Sequence, residues 1–281
     1  MNLDPLIAAI PSINKLLGIP QLASEHGEMV DHMLELVHWF MFVLFLGWST
    51  FLVIVFTKFR KDRAAKADYV GVRGHASTHI EIGVVIVEAI LLLGFAFPLW
   101  AQQSVGYPTG KDVVKVRAMG EKFKWNFQYA GLDSTLGGYA LRNIGTPATN
   151  EMGLDLKDPN GKDDFVKGGT LTLPVGRPVI IDVTSKDVIH NLALVPMRAA
   201  QDATPGVNGH LWFTPTKTGE WDIICGQLCG AGHSGMRGKL VVLPQDKFDE
   251  FMKEGSEDAL KKANATPAAP APGAAAPAAA H

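Results

Sequence analysis

Two long apolar runs in the first hundred residues set the terms on which this chain folds. The first, Leu36 to Phe56, reads LVHWFMFVLFLGWSTFLVIVF. At about 1.5 Å of rise per residue, such a helix matches a hydrocarbon core of roughly 30 Å. Its one ionisable member, His38, stands near the start, within reach of headgroups. A soluble helix of this length carries a polar stripe, and this run has none. The second run, Ile80 to Trp100, is equally long, with Glu81 at its beginning, Glu88 inside it and Pro98 and Trp100 at its far end. Glu81 can sit at the interface. A carboxylate as deep as Glu88 is costly against lipid, so Glu88 is expected to face a protein partner or a polar cavity. The expected spans are residues 33–57 and 80–100.

The loop at 58–79 carries Lys58, Arg60, Lys61, Arg63, Lys66 and Arg73 against Asp62 and Asp68. The segment before the first span, residues 1–32, has Lys15 alone against Asp4, Glu25, Glu28 and Asp31. Positive residues stay in the cytoplasm, so the loop is expected there and both termini outside. Residues 1–27 lack the basic cluster of a cleaved signal peptide, and Pro5 to Leu17 reads as a short interfacial helix. The net charge of -2 and the absence of a basic stripe argue against nucleic acid as a partner.

From Lys111 to Pro244 the pattern turns to short β-rich runs: VVKVRAMG, EKFKWNFQY, TLTLPVGRPVIIDVTS, NLALVP, GEWDIICG and GKLVVLP. Strands in series without helices between them indicate a sandwich or barrel, here within residues 101–250. The polar, Gly- and Asp-rich stretch from Ala130 to Gly169 is too long for a hairpin turn and reads as a surface excursion. A helix is expected from about Gln245 to Lys262. The end of that helix and a disordered Ala/Pro tail make up residues 251–281, with His281 alone too little for a metal site.

The densest chemistry lies in Cys225-Gly-Gln-Leu-Cys229-Gly-Ala-Gly-His233-Ser-Gly-Met236, which holds both cysteines of the chain. Thiolate, imidazole and thioether together select soft or borderline metals. Gly226, Gly230, Gly232 and Gly235 allow one loop to fold tightly onto a site. A mononuclear blue-copper site needs one Cys, so a second is surplus there, whereas two bridging thiolates suit two copper ions. A further His must come from elsewhere. His190, at the end of SKDVIHNLALVP, is the better placed, and His210, in PGVNGH, is the alternative. A structural zinc site or a small disulfide loop are the plainer readings of the cysteine pair, and neither uses Met236.

With these residues in place, the chain resembles subunit II of the haem–copper oxidase family from about His32 to Glu250. Asp187-Val-Ile-His190, Pro196, Asp202-Ala-Thr-Pro205-Gly206 and Trp212-Phe213 match that family's strand and loop patterns. The resemblance implies a two-helix transmembrane hairpin followed by an all-β cupredoxin-like domain on the periplasmic side of a bacterial inner membrane. It implies a dinuclear copper A centre held by His190, Cys225, the backbone carbonyl of Gln227, Cys229, His233 and Met236. Family members commonly have Glu at the position of Gln227, where it helps bind magnesium, and a neutral amide is a poorer ligand for that hard cation. Phe123 and Trp125 resemble the family's aromatic patch where electrons arrive, although the first aromatic is commonly Trp.

Glu81, in Ile80-Glu81-Ile82, resembles the carboxylate at the mouth of a proton path. Glu88, which stands where the family has Pro, is the candidate for contact with a partner subunit. The implied partners are subunit I with its haems and copper, subunit III, a cytochrome c or other haem-containing donor, and the bilayer. The implied activity is that of a terminal oxidase reducing oxygen on the partner subunit. A copper A subunit of a nitric oxide reductase and a periplasmic copper carrier are the alternatives. Lysines and arginines after Trp100 are matched one for one by aspartates and glutamates, so no overall field selects the donor.

Overall fold

The computed structural model describes residues 13–63, 69–71, 74–110, 112–145 and 148–265. The expectations for residues 1–12, for Lys66 and Arg73 in the loop, and for the tail with His281 lie outside these residues. Helix α1 runs Gly27–Lys58 and α2 runs Ala76–Ser104, both long and apolar enough to cross a membrane. Each extends past the expected span at both ends, because the apolar run marks the hydrocarbon and not the end of hydrogen bonding. The most apolar window of each has 0% of its residues buried against the rest of the chain. Two polar side chains of the first span bond back to its own turns. His38 Nδ1 lies 2.7 Å from the Leu34 carbonyl, and the Thr57 hydroxyl donates to Val53. Helix α2 widens into a π-helical turn at Leu92–Ala96, just before Pro98, which has no N–H to donate and would crowd a regular turn.

After α2 come ten strands: β1 Val114–Glu121, β2 Lys124–Tyr129, β3 Phe165–Gly168, β4 Thr170–Pro174, β5 Val179–Ser185, β6 His190–Leu194, β7 Ala199–Ala203, β8 Gly209–Phe213, β9 Gly219–Cys225 and β10 Arg237–Leu243. They form two five-stranded sheets, ordered β3-β2-β1-β5-β8 and β4-β10-β9-β6-β7. β1 pairs parallel with β5, and β10 pairs parallel with β4. Trp125, Phe127, Leu171, Ile181, Leu192, Phe213, Ile223 and Leu240 are fully buried between the sheets. The architecture is the expected one, a membrane hairpin followed by a cupredoxin-like β-domain.

Three strands escaped the sequence reading. β3 closes the Gly- and Asp-rich excursion, and four residues leave no room for a period to show. β7 and β8 are polar on one side, which hid them among turn residues; His210 therefore lies in a strand. The run TLTLPVGRPVIIDVTS divides into β4 and β5 at Gly176, whose φ of 77° turns the chain between them. The excursion is no loose loop. It covers the outer face of β1 and β2, where Arg117 donates to Gln128 at 2.7 Å and to the Gly137 carbonyl at 3.0 Å. That cover explains why β1 and β2 are buried almost throughout, where a half-exposed strand would alternate. Helix α3, Gln245–Ala265, sets Phe248 and Phe251 against the barrel.

Candidate metal centre

Sheet register brings the sulfur- and nitrogen-bearing residues to one end of the second sheet. Leu192 in β6 pairs with Cys225 at the end of β9, which places His190, at the start of β6, beside the ligand loop. The Gly226 amide donates to the Asn191 carbonyl at 3.0 Å and ties the loop to β6. A Cβ at Gly226 would lie 2.6 Å from Asn191 Oδ1, so a larger residue there would have to push the Asn191 side chain aside. Gly230 has φ 138°, a backbone that side chains rarely adopt. A tight turn at His233–Gly235 then returns the chain to β10 through Met236.

The resulting cluster is compact. Cys225 Sγ lies 3.8 Å from Cys229 Sγ, 3.9 Å from His190 Nδ1 and 3.2 Å from the Gln227 carbonyl oxygen. Cys229 Sγ lies 3.6 Å from His233 Nδ1 and 3.8 Å from Met236 Sδ. All six residues singled out for metal binding thus converge on the sulfur pair. Among the described residues, His190, Cys225 and Cys229 are the group whose donor atoms all fall within 4.8 Å of one another. His210 lies elsewhere, 2.8 Å from Asp182. The cysteines are free thiols, and His190, Cys225, Cys229 and Met236 are all buried. Burial, with the Cys225 thiol as neighbour, pushes the Cys229 thiol up. Two thiolates side by side in that pocket need positive charge between them, which soft metal ions supply.

Asp187, in the DVIH pattern, has a role that the pattern alone does not announce. Its Oδ1 lies 2.9 Å from His190 Nε2, and its Oδ2 accepts the Lys122 amide at 2.8 Å. Burial alone would raise this carboxyl; bonds from His190, Lys122 and Val188 hold it below the usual carboxylate range. An ionised carboxylate only accepts, so His190 carries its proton on Nε2 and turns the Nδ1 lone pair toward Cys225. The signal in the sequence was an acid three residues before a histidine, at the mouth of a strand. Gly120 contributes by its missing side chain, since a Cβ there would lie 2.9 Å from the His190 ring.

The aromatics divide by depth. Trp125 is 0% exposed, its ring centroid 6.0 Å from that of His190. Phe123 is 37% exposed, and its ring covers the ligand loop so closely that a Cβ at Gly232 would strike it. Glu81 and Glu88 are exposed on α2, far along the chain from the cluster. Seven residues on an α-helix is two turns, so they share nearly one face about 10 Å apart.

Residues 114–243 match the family model for the cytochrome c oxidase subunit II periplasmic domain. The chain is 31% identical over 227 residues to the alternative cytochrome c oxidase subunit 2 of Bradyrhizobium diazoefficiens, covering 80% of this chain and 79% of that one. It is 25% identical over 251 residues to cytochrome c oxidase subunit 2 of Cereibacter sphaeroides, covering 84% and 81%. The crystal structure of the periplasmic domain of cytochrome oxidase subunit II from Bradyrhizobium japonicum aligns with 54% of this chain and 97% of its own, at 20% identity and a TM-score of 0.39. A likeness of that size carries no weight beside the sequence matches.

Proposed function

The chain belongs to the cytochrome c oxidase subunit II family, and from that premise we propose that its cysteine cluster is a dinuclear copper A centre taking electrons from a periplasmic haem-containing donor. The coarser role follows from the family and the cluster together: this is an electron-transfer subunit of a haem–copper oxidase, with catalysis on another subunit and the β-domain in the periplasm. The observation that carries the finer reading is the pair of free, buried thiols 3.8 Å apart, flanked on either side by an imidazole Nδ1.

The donor set fits two soft ions. Cys225 and Cys229 would bridge them, His190 and His233 would each complete one side, and Met236 and the Gln227 carbonyl would be the weaker ligands. Such a pair supplies one-electron storage with the charge shared over two ions. The residues supply rigidity: Asp187 fixes the His190 ring, Gly226 and Gly230 hold the loop, and burial keeps water from the sulfurs. Phe123, at the surface and against the loop, is the proposed point where the electron arrives, with Trp125 as the packed wall behind His190. Magnesium is not proposed at Gln227, an exposed neutral amide.

The loop at 58–79 is proposed to be cytoplasmic, which puts Glu81 at the cytoplasmic end of its span as a proton-path mouth and Glu88 against subunit I. Oxygen is the proposed terminal substrate. Stopped-flow mixing of the assembled oxidase with a reduced c-type cytochrome tests the whole reading. Copper is expected to be reduced before the partner's haem, and Glu81→Gln to slow oxygen consumption while leaving copper reduction unchanged. Haem reduction with no prior change at copper would overturn the electron route. Unchanged turnover in the Glu81 variant would reduce that carboxylate to surface charge.

A further inference from the structure

Arg198 sits at the tip of the β6–β7 hairpin with a left-handed backbone, φ 52°. Its side chain is 6% exposed and reaches across to the membrane hairpin. Nε donates to Asp31 Oδ1 at 2.6 Å and Nη2 to Asp31 Oδ2 at 3.1 Å, two parallel bonds onto the second turn of α1. Nη2 also donates to the Pro20 carbonyl at 2.9 Å, and Nη1 to the Val195 carbonyl at 2.8 Å. Only a guanidinium offers this planar fork, and a half-buried pair of this kind leaves a stranded charge when one partner is removed.

The chain entering α1 is fastened to the same corner. Ala23 donates its amide to the Pro196 carbonyl at 2.8 Å and accepts from the Thr216 amide at 2.8 Å, and Ser24 Oγ donates to the Met197 carbonyl at 2.7 Å. A second attachment reaches α2, where Trp212 donates from Nε1 to the Gln103 carbonyl at 3.0 Å while its ring lies 5.1 Å from that of His26. Strand β6 runs without a break from this corner to His190 in the metal cluster.

We infer that Arg198 is a positioning residue for electron delivery: its fork on Asp31 fixes the orientation of the copper-binding domain over the outer ends of the two spans. The inference rests on the proposed delivery of electrons to a membrane partner. Tunnelling rates fall steeply with distance, so the step toward the membrane depends on this orientation. The step from a donor at Phe123 does not, because that face belongs wholly to the β-domain.

The test uses the assembled oxidase, with the donor-to-copper and copper-to-haem steps timed separately. Arg198→Ala is expected to leave the first step and the copper spectrum unchanged and to slow the second several-fold. Arg198→Lys falls between, and exchanging the charges, Asp31→Arg with Arg198→Asp, recovers much of the rate. A pulsed EPR distance from copper to a spin-labelled unnatural residue at Val43 in α1 broadens in Arg198→Ala and narrows again in the exchange. An unchanged second step with an unchanged distance overturns the inference. So does loss of the copper spectrum itself, which would make Arg198 a prop of the fold. Should Arg198→Ala not accumulate, Arg198→Lys is judged by the same outcomes. A wild-type enzyme with no copper-to-haem step contradicts the delivery reading instead, and the distance measurement still decides the orientation.

Discussion

The membrane hairpin and the β-domain answer opposite demands with the same polymer. In α1 and α2 the large apolar side chains point outward; Phe45, Trp48, Phe56 and Leu93 are all more than 60% exposed within the chain. In the β-domain the equivalent residues turn inward, and Trp125, Phe127 and Phe213 are 0% exposed. A helix satisfies its own backbone and needs nothing from its neighbour, so lipid or a partner subunit can take its surface. A strand must pair and a sheet must cover its face, so the β-domain closes on itself. The metal cluster belongs to the closed region, held by β6, β9 and β10 and by the loop they brace. The hairpin holds it in place.

Replacing a ligand strains that division most. Cys229→Ser is expected to abolish the paired copper site, since one remaining thiol cannot bridge alone from both sides, while the hairpin still inserts. Metal analysis beside a membrane-extraction assay checks both halves. Copper retained at the wild-type level would contradict the bridging role of Cys229. Next comes a truncation on each side of the comparison. Trp125→Ala should destabilise the β-domain by about 3–5 kcal/mol through lost contacts and a cavity. Phe51→Ala, exposed on α1, should leave the melting of that domain where it was. Calorimetry of the two variants in detergent separates them, and equal losses would show that the regions fold as one unit.

The two regions were legible to different depths. Spans and metal motif stood in the sequence because each is local: a run of apolar residues, and six ligand candidates of which five lie within Cys225 to Met236. His190 was legible in the sequence with His210 as its alternative, and the pairing of β6 with β9 supplies the reason that it reaches the loop. Gly120 went unassigned because its work is done across strands, through an absent side chain, and Asp187 because an acid three residues before a histidine shows its bond only once the strand mouth is formed. Arg198 and Asp31 lie 167 residues apart in sequence, and no pattern announces a contact of that kind. The excursion does lie at the surface, as its polar residues suggest, but the sequence did not show that it packs down on β1 and β2, burying Arg117 and its own Asp164.

That buried acid gives the smallest expected effect. Asp164 is pushed up to about 6, chiefly by burial, despite bonds from Gly137 and Gln128, with Asp163 and Asp133 raising it further. A carboxyl raised above its unfolded value of 3.8 binds its proton more tightly when folded. Its contribution is therefore complete below about pH 4 and is lost as pH rises through about 6, on the order of 1–2 kcal/mol. Melting of the β-domain between about pH 4 and 6 should show this slope in the wild type and lose it in Asp164→Asn. An identical slope in both would assign the pH dependence to other groups.

The central claim is that one loop and one distant histidine hold two copper ions as a single electron-sharing unit. Quantitative metal analysis with EPR of the full-length protein, purified in detergent after copper loading, tests it most directly. The account predicts two copper ions per chain and a hyperfine pattern from one unpaired electron divided equally between two nuclei. One copper ion per chain, with the electron confined to a single nucleus, would contradict it.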